Sequence, residues 1–120
     1  MRIAPLIALA TLMALPAAAQ TSVDCSNRAT QLDMNFCARD GWGVSDAELN
    51  RLWAEVKPLA DRQGSGAALL DEQRAWLRRR DATCEGERDS YAGGSIAPLV
   101  YWQCMDRMTI ARNDVLRALR

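Results

Sequence analysis

Histidine is absent from this chain of 120 residues. Without an imidazole, the chain lacks the usual general base of hydrolases and every Ser-His or Cys-His nucleophile pair. A zinc site is disfavoured as well, because the four cysteines stand 12, 47 and 20 residues apart and form no C-x-x-C pair. The sequence therefore predicts a protein that is not an enzyme and that carries no metal or cofactor.

Long apolar runs are also missing. The apolar run Ile3–Leu15 has about thirteen residues, too few for a helix to cross roughly 30 Å of hydrocarbon. Arg2 precedes it, and small residues up to Ala19 follow it, which is the layout of a secretory signal. We expect cleavage after Ala19 and no membrane insertion of the remainder. No acylation box precedes Cys25, so a lipid anchor is not expected.

An excess of charge of either sign is the third absence. The segment 20–120 is long enough for one small domain and carries fourteen basic and fifteen acidic side chains, a net charge of −1. Such a balance provides no long-range field to attract nucleic acid or an anionic membrane surface. Together with the signal segment, this predicts an exported protein with no nucleic-acid partner.

Four cysteines in a chain bound for an oxidising space indicate two disulfides. If residues 26–38 are helical, Cys25 and Cys37 stand about 18 Å apart, beyond the reach of a disulfide. Cys37 and Cys84 are expected at the same level of the bundle. We therefore prefer the pairs Cys37–Cys84 and Cys25–Cys104, while Cys25–Cys84 with Cys37–Cys104 remains open.

Hydrophobic periodicity divides the chain into four helical segments without strand-like alternation. The turn signals GWGVS, RQGSG and AGGS separate them, and Ser45, Ser65 and Ser95 are the expected N-caps. Ser45 and Glu48 have the spacing of a capping box, and Pro58 should kink or end the second helix. The predicted fold is all-α: a small four-helix bundle of antiparallel helical hairpins stapled by two disulfides.

Polar residues occupy positions where core stripes should run. If the second and third helices form an antiparallel hairpin around Gly64, Asp46 lies opposite Arg80. We expect these two to form a buried or half-buried ion pair, because an arginine in a core without a carboxylate is costly. Asn50 and Gln73 lie within reach as hydrogen-bond partners. These four residues form a predicted structural network rather than a catalytic cleft.

Five motifs together resemble the LprI-type lysozyme-inhibitor family of small secreted bacterial proteins. They are TQLDMNFCA at residues 30–38, DAELNRLW at 46–53, QRAWLRRRDATC at 73–84, GGSIAPLVYWQC at 93–104 and TIAR at 109–112. The resemblance covers nearly all of residues 20–120. It implies a compact, helical, disulfide-stapled domain of the bacterial envelope. It also implies lysozyme as a protein partner, although many members of the family have no known function.

A lysozyme inhibitor needs contacts that fill a cleft containing two carboxylates. Two connecting segments are candidates: DGWGVS, which carries Trp42, and EGERDSYAGGS, which carries Glu87, Asp89 and Tyr91. Leu32 and Phe36 lie off the main stripe of their helix. They indicate either a second covered face or an exposed apolar patch for another partner or for dimerisation, so we expect a monomer or a weak homodimer. The alternative function is a non-enzymatic envelope interaction module without effect on lysozyme.

Overall fold

The structure is a computed structural model that describes residues 23–120, so the predicted signal segment lies outside the described residues. Three helices make up the fold: α1 (Gln31–Arg62), α2 (Gly66–Asp89) and α3 (Ala97–Arg117). Residues 23–120 contain two disulfides, and no β-strand occurs among them. The all-α class and the number of disulfides are confirmed, but the prediction of four helices is wrong.

The first two predicted helices are one continuous helix, α1. Its capping box lies at Thr30, whose hydroxyl accepts from the Asp33 amide at 3.0 Å while the Asp33 carboxylate accepts from the Thr30 amide at 3.2 Å. GWGVS does not interrupt α1, although each glycine costs about 1 kcal/mol in a helix. Trp42 packs on Trp102 of α3, and the Ser45 carbonyl accepts from α3 as well. Contacts with α3 outweigh the weak helix propensity.

Pro58 lies inside α1 without ending it. A proline deprives the carbonyl four residues earlier, here that of Ala54, of its helical donor. Both Pro58 and Ala54 are exposed, so water can bind the carbonyl that loses its partner. The helix continues for another turn and ends at Arg62.

Two glycines shape the tight turn between α1 and α2. Gly64 has φ 79°, a left-handed conformation that favours glycine. Gly66 is buried, and a Cβ atom built there would collide with the side chain of Asp61. The Ser65 amide donates to the Ala60 carbonyl at 2.9 Å, and its side chain makes no capping bond. The turn makes α1 and α2 antiparallel, as the sequence predicted.

Helix α3 packs against both other helices and runs parallel to α1 and antiparallel to α2. Two groups of side chains form the interior. The apolar cluster comprises Leu49, Leu52, Val56, Ala60, Leu69, Trp76 and Leu116. The disulfide cluster comprises Cys84, Cys104 and Met105, with Trp42, Tyr101, Trp102 and Met108 packed against them. No helix within residues 23–120 offers an apolar stretch long enough to span a membrane.

Both predicted disulfide arrangements are wrong. The structure joins Cys25 to Cys37, with Cα atoms 5.6 Å apart, and Cys84 to Cys104, with Cα atoms 5.4 Å apart. The first pair was rejected on the assumption that residues 26–38 are all helical. Because α1 begins only at Gln31, residues 25–30 turn back along the helix and bring the two thiols together. Cys84 and Cys104 meet because α2 and α3 form an antiparallel hairpin.

Candidate functional site

One end of the bundle gathers all five predicted contact residues. We call it the disulfide end: the first half of α1, the last turns of α2, the start of α3 and the connection between α2 and α3. The Asn35 amide donates to the Ser95 carbonyl at 3.1 Å and so joins α1 to that connection. Both disulfides lie in this half. A partner that contacted this end could touch several of the candidates at once.

Trp42 is not on a loop, contrary to the prediction. It lies within α1, half-buried, with its ring centroid 5.0 Å from that of Trp102. Tyr101 meets Trp102 edge to face at 4.8 Å, and the Arg88 guanidinium lies 5.4 Å from the Tyr101 centroid. The indole nitrogen of Trp42 is buried and has no acceptor. Trp42 therefore acts first as a packing residue between α1 and α3.

The segment 85–95 divides into a helical part and a projecting turn. Glu87 and Asp89 belong to the last turns of α2, and their carboxylates are engaged by Arg107 at 2.9 Å and Arg88 at 3.0 Å. Tyr91 follows the helix and is 49% exposed. Neither carboxylate is a free charge, so Tyr91 is the prominent group of this segment.

The turn that carries Tyr91 is held by its own hydrogen bonds. The Tyr91 amide donates to the Arg88 carbonyl at 2.9 Å, and the Gly94 amide donates to the Tyr91 carbonyl at 2.9 Å. Gly93 has φ 81°, which permits the tight bend. Asn35 fixes the far side of the turn through Ser95. The phenol ring thus projects from a backbone that is ordered at both ends.

Phe36 is 40% exposed on α1 and belongs to neither core cluster. Leu32, one turn earlier, is 61% exposed, and Val44 is 73% exposed. Phe36 therefore lies on an uncovered part of α1, and its role in binding a partner stays a prediction.

The predicted pair of Asp46 and Arg80 does not form. Arg80 is buried, but its Nη2 bonds Asp81 at 2.9 Å and its guanidinium lies 5.1 Å from the Trp76 centroid. Its side chain faces α3, where Nη1 approaches the Thr109 hydroxyl at 3.5 Å. Charge neutralisation thus comes from the next residue in the chain rather than across the hairpin.

Of the remaining network residues, Asn50 is exposed and takes no part, whereas Gln73 is buried. The side-chain Oε1 of Gln73 accepts from Nε of Arg112 at 2.7 Å. Arg112 is 5% exposed, bonds Glu72 at 2.7 Å and lies 5.7 Å from the Trp76 centroid. Two arginines therefore lie near one tryptophan ring, a stabilising cation–π arrangement. The network holds α2 to α3.

Surface charges link the opposite end of the bundle. Nε and Nη2 of Arg51 donate to the Glu48 carboxylate at 2.7 Å each, and Arg117 of α3 reaches the same carboxylate at 3.1 Å. These bonds, chiefly those from Arg51, lower the pKa of Glu48 to about 2. The same contact raises the pKa of Arg51. This exposed group connects α1 to the last turn of α3.

The family described as "Lysozyme inhibitor LprI" matches residues 24–116. The chain belongs to the LprI family. An uncharacterized protein of Rhizobium meliloti (strain 1021) is 33% identical over 129 aligned positions, which cover 97% of this chain and 93% of that protein. No solved structure matches the chain.

The LprI motifs in this chain include buried polar residues that periodicity did not identify. Thr109, Arg112 and Asn113 are buried on α3, whereas the apolar side chains of Val115 and Leu119 are exposed. Apolar periodicity cannot point to a stripe that is polar. The available signal was the TIAR motif, because it contains both Thr109 and Arg112. These residues hold the scaffold together.

Proposed function

We propose that this LprI-family protein inhibits lysozyme by placing the turn between α2 and α3 in the active-site cleft. The observation that carries the proposal is the exposed Tyr91 on a turn that is fixed at both ends. Tyrosine is enriched among the residues that dominate binding energy at interfaces. An ordered turn loses little conformational entropy on binding, so more of its contact energy appears as affinity.

The mechanism needs no catalytic group in this chain. Lysozyme cleaves its substrate with two carboxyl groups on either side of the scissile bond. The Tyr91 hydroxyl is a hydrogen-bond donor that can approach such a carboxylate, while its ring fills space where a sugar would lie. Ile96, 39% exposed at the other side of the turn, adds apolar contact. Occupation of the cleft excludes the polysaccharide.

The family and the amino-terminal sequence support a periplasmic or secreted location. We propose that residues 1–19 direct export and are removed, leaving residues 20–120 in an oxidising compartment where both disulfides form. Glu87 and Asp89 contribute little to attracting a basic lysozyme, because both carboxylates are already paired. Shape and the tyrosine side chain carry recognition instead.

A turbidity assay tests the proposal. The purified, disulfide-intact protein should slow the lysis of a susceptible cell suspension by a basic animal lysozyme at near-stoichiometric amounts. Tyr91→Ala should weaken inhibition by at least about tenfold, the loss expected for a central anchor. Ile110→Ala is the matched control, because Ile110 is 47% exposed but lies farther along α3. Equal inhibition by the wild type and Tyr91→Ala would refute the role of the turn.

A second candidate is a non-enzymatic envelope interaction module that leaves lysozyme unaffected. The exposed Leu32, Phe36 and Val44 favour it, because such residues on a helix mark contact with another protein. Unchanged lysis at every ratio of protein to lysozyme would select this function over inhibition.

A further inference from the structure

One face of α1 is uncovered along the first half of the helix. We call it the α1 stripe, and all six of its residues are exposed: Leu32, Phe36, Arg39, Asp40, Gly43 and Ala47. At 100° per residue these side chains fall within about 100° of one another. Trp42 and Ser45, which contact α3, point more than roughly 100° away from the centre of the stripe. The stripe therefore lies on the side of α1 that faces away from α3.

The composition of the α1 stripe is unusual for a solvated face. It carries two large apolar residues at one end and two small residues at the other. Between them lie Arg39 and Asp40, which form no ion pair within the part of the chain that the structure describes. Most other charges near α1 are paired, so these two are available to a partner.

We propose that the α1 stripe binds the same stripe of a second copy of this chain, with the two helices antiparallel. A two-fold axis between positions 39 and 40 places together positions whose numbers add up to 79. Arg39 then faces Asp40 of the other copy twice, Phe36 faces Gly43, and Leu32 faces Ala47. Each large side chain meets a small one, and each cation meets an anion. A surface that complements itself in this way is what an isologous dimer requires.

The shape of the surface agrees with this register. Gly43, Ala47 and Trp42 border a shallow depression together with Arg39 and Asp40. A Cβ atom at Gly43 would meet nothing within 4 Å inside the monomer, so the space above it is open. In the proposed register, the phenyl ring of Phe36 from the second copy lies over Gly43 in this depression. The small residues let the two helices approach closely.

The length of the stripe sets the strength of association. From Leu32 to Ala47 the helix rises about 22 Å, so the contact is shorter than most stable interfaces. Interfaces below about 1,200 Å² belong to weak, transient complexes. Association is therefore expected at micromolar to millimolar concentrations, and sedimentation equilibrium is the appropriate measurement.

A charge swap tests the register. Arg39→Asp and Asp40→Arg should each weaken self-association by at least about tenfold, because each places like charges opposite one another twice. An equimolar mixture of these two variants should associate about as strongly as the wild type, since each new charge then faces its opposite. Circular dichroism should show both variants folded as the wild type is. Wild-type protein that stays monomeric to about 1 mM, or a mixture that stays monomeric, would overturn the proposal.

Gly43→Leu separates association from folding. The monomer has room for this side chain and gains helix propensity, so its thermal stability should not fall. The dimer should be lost, because the new side chain occupies the place of Phe36 from the other copy. Gly41→Leu is the matched control: Gly41 also has open space but lies off the α1 stripe. Equal effects of the two substitutions on association would contradict the proposed contact. The molecular mass from sedimentation equilibrium reports association directly, so this test is independent of whether the protein inhibits lysozyme.

Discussion

Replacing Cys84 and Cys104 together by alanine should destabilise the fold far more than the same change at Cys25 and Cys37. The two bonds close chain segments of 20 and 12 residues. In the chain-entropy model they restrict the unfolded state by similar amounts, about 3.3 and about 2.8 kcal/mol. The difference between them should come from the folded state.

In the folded state the two bonds lie in different surroundings. Cys84 and Cys104 are fully buried within the disulfide cluster, where Met105 and the neighbouring aromatic rings hold α2 and α3 in place without the bond. Nearly the whole entropic effect, about 3 kcal/mol, should therefore appear as lost stability. Residues 26–30 are exposed, so cutting the bond between Cys25 and Cys37 frees that segment in the folded chain too. The folded and unfolded states then gain similar freedom, so most of the entropic effect cancels. The free energy of unfolding should fall by less than about 1 kcal/mol.

Urea unfolding followed by circular dichroism and tryptophan fluorescence measures both losses. For a domain of about a hundred residues, 3 kcal/mol corresponds to a fall in Tm of roughly 12–24 °C. Fragments of the wild type that stay joined under non-reducing conditions should confirm the two pairings. An equal or larger loss for the variant without Cys25 and Cys37 would refute the reasoning.

Three further outcomes are expected. Arg112→Met should lower the free energy of unfolding in urea by about 1–3 kcal/mol, because the buried side-chain Oε1 of Gln73 loses its donor. A decrease below roughly 0.5 kcal/mol, which is the scatter of surface substitutions, would contradict this. The pKa of Glu48 lies at about 2 instead of 4.5, so this carboxylate stabilises the fold above pH 4.5 and loses that effect as the pH falls through about 2. Arg51→Gln should raise the titration midpoint of Glu48 measured by NMR. An unchanged midpoint would exclude Arg51 as the cause of the low pKa. Gly41→Ala should add about 0.5–1 kcal/mol, because helix propensity rises where no neighbouring atom is met; a lower Tm would show that the position is constrained.

Local rules predicted the parts of the fold that local chemistry decides. The hairpin around Gly64 and the inward position of Gln73 and Arg80 follow from periodicity and turn residues. The continuity of α1 through GWGVS does not, because contacts of Trp42 and Ser45 with α3 decide it. Those contacts join residues about sixty positions apart, and single-segment propensities contain no information about them.

The candidate site shows the same division. Tyr91 could be singled out because it precedes two glycines in a charged connection. The choice between Trp42 and Tyr91 required the helix boundaries, which sequence patterns give least reliably. The cysteine pairing also depended on a boundary: an α1 that begins at Gln31 rather than near residue 26 makes the rejected pair possible. The partner of Gln73 was missed because arginine on α3 does not look like a core residue.

The two halves of the bundle are stabilised by different means. The apolar cluster, near the turn between α1 and α2, relies on burial of leucine, valine and tryptophan side chains. The disulfide end relies on covalent bonds and aromatic packing. A reducing compartment would therefore remove the covalent part of this support from the end that carries Tyr91, while the burial in the apolar cluster would stay unchanged.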